Sequence, residues 1–183
     1  MLSGIRKPAR VAVFISGGGS TLQALLEMHH QFDIKLIICN RKKALGALKA
    51  KRFGKTIFYQ SSQTIFAEIE EILKVNRIEK IVLAGYMKIL PESFVKKWSG
   101  KIINIHPSLL PAYPGLESAE RSWTDLKPMG VSLHTVIPAI DAGPIFLQQT
   151  SSFAEEKLDL ANSLIWLRRT EQHLLRELSL RWI

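Results

Sequence analysis

Short apolar runs alternate with longer segments of mixed polarity along this 183-residue chain, and that alternation predicts strands and helices in turn. Val11-Ala12-Val13-Phe14-Ile15 is apolar throughout and stops at Ser16-Gly17-Gly18-Gly19, the pattern of a strand buried on both faces. From about Ser20 the period changes, with Leu22, Leu25, Leu26 and Met28 on one side of a helix. The spacing then predicts a strand over 35–39, a short basic helix over 44–53, a strand over 56–59 and an amphipathic helix over 64–75. In that helix Ile65, Ile69 and Ile72 are expected inward, and Glu68, Glu70 and Glu71 outward. A fourth buried strand over 81–84 closes at Gly85, and Pro91 opens a short helix through Trp98, since proline suits a first helical turn. A fifth strand covers 102–105. Strands over 131–137 and 145–150 flank a turn at Asp141-Ala142-Gly143-Pro144, and a long helix runs roughly over 158–180.

Strands that alternate with helices through the first hundred residues imply an α/β fold: a Rossmann-like, mostly parallel twisted sheet with helices on both faces. No repeat or flexible linker divides the chain, so a single domain over 1–183 is expected. Ligands of such sheets bind beyond the carboxyl ends of the strands. That rule nominates three stretches together: 16–20, 85–90 and 104–108.

Composition narrows the classes. Hydrophobic residues make up 46% and charged residues 22%, close to globular averages and far from a disordered chain. The apolar runs fall well short of the ~20 residues a membrane helix needs, and the basic start of the chain lacks the apolar core of a secretory signal. One cysteine, Cys39, excludes an internal disulfide and a multi-cysteine zinc cluster. The expected compartment is the cytoplasm. The net charge of +9 arises in the first 60 residues, where eleven Lys and Arg stand against two acidic residues. Such an excess concentrates an anionic ligand; a solvated basic face and a nucleic-acid contact are the alternatives.

Ser16-Gly17-Gly18-Gly19-Ser20-Thr21 joins a buried strand to a helix, where free backbone N–H groups can hold a phosphate. It is neither a Walker loop nor a good dinucleotide fingerprint, so an anion site and a merely tight turn both remain open. Asn104 and His106 are two apart on an extended segment, which puts their side chains on one face. An amide donor beside an imidazole suits a developing oxyanion, and Pro107 places His106 at an exposed strand end. A satisfied strand-end histidine beside a turn asparagine is the competing reading. Asp141 could orient His106 and favour its protonated form, or be an ordinary turn residue. His134 either faces the same cleft or lies in the core. The other histidines show no metal-ligand spacing, so no metal is expected. Tyr86-Met87-Lys88-Ile89-Leu90 mixes an aromatic with apolar residues and could line a pocket for a flat ring, or simply begin the next helix.

The stretches 16–24, 39–41, 83–90, 104–111 and 140–144, in order and spacing, resemble the phosphoribosylglycinamide formyltransferase family over about residues 10–173. The Asn-x-His-Pro-Ser-Leu-Leu-Pro block followed by Asp-x-Gly-Pro is the specific part. The resemblance implies formyl transfer from 10-formyltetrahydrofolate to the amine of glycinamide ribonucleotide in purine biosynthesis, with Asn104, His106 and Asp141 as the catalytic trio. It also implies that Gly17, Gly18, Gly19, Ser20, Gly85 and Glu171 contact the ribonucleotide. Tyr86, Met87, Lys88, Ile89 and Leu90, with Val136 and Ile140, would take the folate. Small-molecule partners only are implied, with no nucleic acid or membrane, in a monomer or homodimer.

Two stretches depart from the family. Residues 117–123 replace a histidine-containing mobile loop, and Glu171 is followed by Gln172-His173-Leu174 where relatives carry His and then Tyr-Pro. Another folate-dependent formyltransferase, or a formyltetrahydrofolate hydrolase with the same trio, is the nearest alternative. A non-catalytic basic binding module is the more distant one.

Overall fold

Seven strands form one sheet in the order β3-β2-β1-β4-β5-β6-β7. The computed structural model describes residues 8–151 and 159–182. In chain order the elements are β1 (Arg10–Ile15), α1 (Ser20–Glu27), β2 (Asp33–Cys39), α2 (Leu45–Arg52), β3 (Thr56–Tyr59), α3 (Phe66–Val75), β4 (Lys80–Leu83), α4 (Glu92–Lys97), β5 (Ile102–His106), α5 (Ser118–Thr124), β6 (Gly130–Thr135), β7 (Ile145–Thr150) and α6 (Leu160–Arg181). Strands β1 to β5 pair in parallel. β6 and β7 run antiparallel to their neighbours, so the expected architecture holds with a reversed edge.

The side chains explain the layering. Val11, Val13 and Ile15 point to one face, where they pack with Leu22 and Leu25 of α1, Ala47 of α2 and Leu174, Leu175 and Leu178 of α6. Ala12 and Phe14 point to the other face and meet Ile69 and Leu73 of α3 and Phe94 and Val95 of α4. Both faces of the central strands are therefore sealed, as their unbroken apolar run requires. On the second face the apolar core reaches β5 at Ile102. Farther along that face, the alternation of β5 and its register with β6 bring up Asn104 and His106 opposite His134 and Ser132. The sheet thus changes from apolar to polar within one strand.

Several elements differ from the sequence expectation. Ile65 precedes α3 and is exposed, whereas Ile69 and Leu73 are buried and the half-buried Ile72 packs against the same core. Residues 118–124 form a helix, α5, that buries Ser118, Ala119 and Ser122; small side chains against α6 replace the apolar stripe that would have signalled it. The long helix begins at Leu160, with the Asp159 carboxylate accepting from the Asn162 N–H at 2.8 Å. Residue 158, its expected start, lies outside the described residues. Among the described residues no helix is long and apolar enough to cross a membrane.

Candidate active site

Asp141 draws the polar residues together. It follows the turn after β6 and adopts a left-handed backbone, φ 48°. The turn folds tightly because Gly143 lies where a Cβ would sit 1.7 Å from the Thr135 carbonyl oxygen; no other residue fits there. One carboxylate oxygen of Asp141, Oδ1, accepts from Asn104 Nδ2 at 3.2 Å and lies 3.4 Å from His134 Nε2. The other, Oδ2, accepts from the Gly115 N–H at 2.8 Å and lies 3.5 Å from His106 Nδ1. Burial pushes the Asp141 carboxyl up, but hydrogen bonds from His134 and Gly115, with the charges of His106 and His134, outweigh it and hold the pKa at about 2.

The trio expected from sequence therefore converges, but His106 is not at an exposed strand end. It is buried, at 5% exposure, because the chain after Pro107 folds back over it. Ser132 Oγ holds this return, donating to the Ser108 carbonyl at 2.6 Å and accepting from the Leu110 N–H at 3.1 Å. Gln148 Nε2 donates to the Leu110 carbonyl at 2.9 Å. The return carries the Tyr113 carbonyl to 2.9 Å from His106 Nε2. Both ring nitrogens thus face oxygen acceptors, and both contacts become hydrogen bonds only when the ring is doubly protonated.

Beside the trio opens a cleft of about 460 Å³. Asn104, His134 and Asp141 form its polar end, while Met87, Ile89, Val136 and Ile140 give it an apolar wall. Gly85, Tyr86, Lys88 and Leu90 also line it, and so does Glu171. Tyr86 stands edge-on to Phe14 and donates its hydroxyl to Gln60. Burial pushes its phenol up to about 12, against the opposing pull of the Gln60 hydrogen bond. Burial likewise raises the Glu171 carboxyl, although a hydrogen bond with Thr21 and the charge of Arg168 oppose this.

Gly17–Ser20 do not line the cleft but border it. Ser16 Oγ accepts from the Met87 N–H at 2.8 Å and ties the glycine turn to the cleft wall. Gly19, at φ 65°, caps α1 and touches α2, since a Cβ on it would fall 2.5 Å from Gly46 Cα. Gly17 and Gly18 differ: a Cβ on either meets nothing within 4 Å. Packing does not demand glycine at either position, and both leave open space beside the backbone. The Lys49 ammonium donates to the Gly19 carbonyl at 3.3 Å, and the exposed Arg41, Lys42 and Lys43 precede α2. Part of the basic excess therefore surrounds this turn.

The family model described as formyl transferase matches residues 9–164. The chain belongs to the formyl transferase family. It is 32% identical to the phosphoribosylglycinamide formyltransferase of Bacillus subtilis over 157 residues, which is 80% of each protein. It is 39% identical over 155 residues to the human trifunctional purine biosynthetic protein adenosine-3, covering 79% of this chain but spanning only 15% of that protein. Among solved structures, the phosphoribosylglycinamide formyltransferase of Anaplasma phagocytophilum superposes with a TM-score of 0.85 at 36% identity, over 91% of this chain and 83% of that one.

Of the other polar residues lining the cleft, sequence left one open and missed a second. His134, left between cleft and core, is both: it is 2% exposed yet forms part of the cleft wall. Its signal is the register that sets it opposite Asn104. Thr21 also lines the cleft and partners Glu171, which a helix-start threonine alone does not reveal.

Proposed function

We propose that this chain is a phosphoribosylglycinamide formyltransferase, moving a formyl group from 10-formyltetrahydrofolate to the amine of glycinamide ribonucleotide in purine biosynthesis. The observation that carries the reading is the meeting of Asn104 and His106 on the Asp141 carboxylate, in a chain similar to proteins of that name.

The cleft suits a folate: an apolar wall faces a flat ring, and backbone groups of the 85–90 and 136–141 segments edge it. 10-Formyltetrahydrofolate supplies the formyl carbon. Tyr86, Met87, Lys88, Ile89, Leu90, Val136 and Ile140 hold the pterin side. Gly17, Gly18, Gly19, Ser20 and Gly85 hold the ribonucleotide, its phosphate at the start of α1 beside Lys49, and Glu171 holds the end carrying the amine.

As the amine nitrogen bonds to the formyl carbon, the carbonyl electron pair moves to the formyl oxygen. Asn104 donates a hydrogen bond to that oxygen, and protonated His106 donates from Nδ1, the ring nitrogen that the Tyr113 carbonyl does not hold. Asp141 keeps the imidazolium in place and stays ionised itself, with its carboxyl near 2. The attacking nitrogen loses a proton and the departing nitrogen gains one as its bond to carbon breaks, the transfer passing through His106 or a water. The protein ends in its starting state. The chemistry uses no metal, nucleic acid or membrane, and the enzyme works in the cytoplasm as a monomer or homodimer.

A spectrophotometric assay of tetrahydrofolate formation with and without glycinamide ribonucleotide tests this. Product that depends on the amine supports the reading. Product at the same rate without it would identify a hydrolase, and no product in either would point to a binding module.

A further inference from the structure

The loop that covers His106 is fastened from outside the cleft by Arg121, within the 117–123 stretch that departs from the family, and by Asp125 just beyond it. Tyr113 has a left-handed backbone, φ 54°, as do Gly115 and Glu117. For a tyrosine that conformation is uncommon and is held by surrounding contacts. The contacts come from α5 and from Asp125, which caps its C-terminal end. The Tyr113 hydroxyl donates to Asp125 Oδ2 at 2.9 Å, the Arg121 guanidinium lies 5.5 Å from the centre of the Tyr113 ring, and Arg121 Nη1 donates to the Leu116 carbonyl at 3.3 Å. Arg121 thereby grips the loop on both sides of Gly115, whose N–H supports Asp141.

The Tyr113 carbonyl accepts from His106 Nε2 at 2.9 Å and from Ser108 Oγ at 3.3 Å. A carbonyl accepts and cannot donate, so Nε2 carries a hydrogen in either charge state, and Nδ1 is the nitrogen that gains or loses a proton. Nδ1 faces Asp141, behind which stands His134; these are the titratable groups turned toward the ring.

We propose that Arg121 and Asp125 are positioning residues, holding Tyr113 so that its backbone carbonyl fixes the His106 tautomer and leaves Nδ1, which faces Asp141, to exchange protons. The proposal rests on the formyl-transfer reading for its kinetic consequence, but the tautomer is readable without turnover.

The test records ring-nitrogen NMR of His106 through a pH titration, in protein labelled at its five histidines, with kcat and KM for both substrates. In the wild type, Nε2 keeps its proton while Nδ1 alone moves. In Asp125→Ala and Arg121→Ala the ring shifts toward a mixture of tautomers. In both variants kcat falls about fivefold, the scale of one released hydrogen bond at an exposed position, while both KM values stay within about twofold. Tyr113→Phe removes only the hydroxyl, and it substitutes for the alanine variants if they do not fold. A His106 ring unchanged in the variants overturns the proposal, as does a wild-type ring whose single proton sits on Nδ1, or a loss confined to KM. A wild type with the expected ring but no formyl transfer sinks the functional reading and leaves the tautomer assignment standing.

Discussion

Asn104 and His134 stand directly opposite each other in the antiparallel pairing of β5 with β6, and Asp141 lies against both. Asn104 Nδ2 is also 3.1 Å from His134 Nε2. That nitrogen can accept from the amide when unprotonated or donate to the carboxylate when protonated. The three groups share one network, so losses within it will not add. Asp141→Asn and His106→Ala are each expected to cut turnover by about a hundredfold or more, the usual cost of a lost oxyanion donor or its support. The double variant is expected to fall little further. Steady-state assays with circular dichroism as the folding control check this; near-normal turnover in both single variants refutes the mechanism.

Acid stability reports the same carboxylate. Its folded-state pKa of about 2 lies below the ordinary 3.8, so the stabilisation is fully present above pH ~4 and is lost as the pH falls through ~2. A difference of that size is worth about 2 kcal/mol. Denaturant titrations between about pH 5 and pH 2 are expected to show a shallower acid loss in Asp141→Asn than in the wild type. Parallel curves for the two proteins contradict the assignment.

Much of this was legible in the chain itself, for reasons that differ by residue. The buried parallel strands announce themselves as unbroken apolar runs such as Val11–Ile15, and the face shared by Asn104 and His106 follows from a two-residue period. The burial of His106 was not legible, because the return over it hangs on Ser132 and Gln148, whose contacts with it span 22 to 38 residues of sequence. His134 was ambiguous for a related reason: its role depends on which residue it faces across the sheet. Helix α5 has no apolar stripe, and only tertiary packing selects it.

Two neighbouring glycines are expected to respond in opposite ways. Gly18→Asp meets open space, so folding is unchanged while a negative charge beside the phosphate raises the Michaelis constant for the ribonucleotide, by about tenfold for ~1.4 kcal/mol of repulsion. Gly19→Ala puts a methyl 2.5 Å from Gly46 Cα at a positive φ, and it is expected to lower stability by about 1–3 kcal/mol. Thermal melts and substrate titrations separate the two; an unchanged Michaelis constant in Gly18→Asp argues against the phosphate site.

Gly143→Ala tests how the carboxylate reaches the trio. Its methyl would overlap the Thr135 carbonyl, and the turn must move, carrying Asp141 away from His106. Turnover is expected to drop about a hundredfold, since small displacements of a positioned group are that costly, with a lowered melting temperature as the companion signal. Retained turnover would show that the turn adapts without shifting Asp141.

The sheet face that turns polar beyond Ile102 has a consequence for how the molecule can evolve. Asn104 and His134 occupy positions that a sheet built only for robustness would fill with leucine or valine. Such replacements would extend the greasy layer begun under α3 and α4, so heat tolerance and turnover pull against each other at this corner of the molecule. Variants selected for survival at high temperature alone are expected to lose these two side chains early.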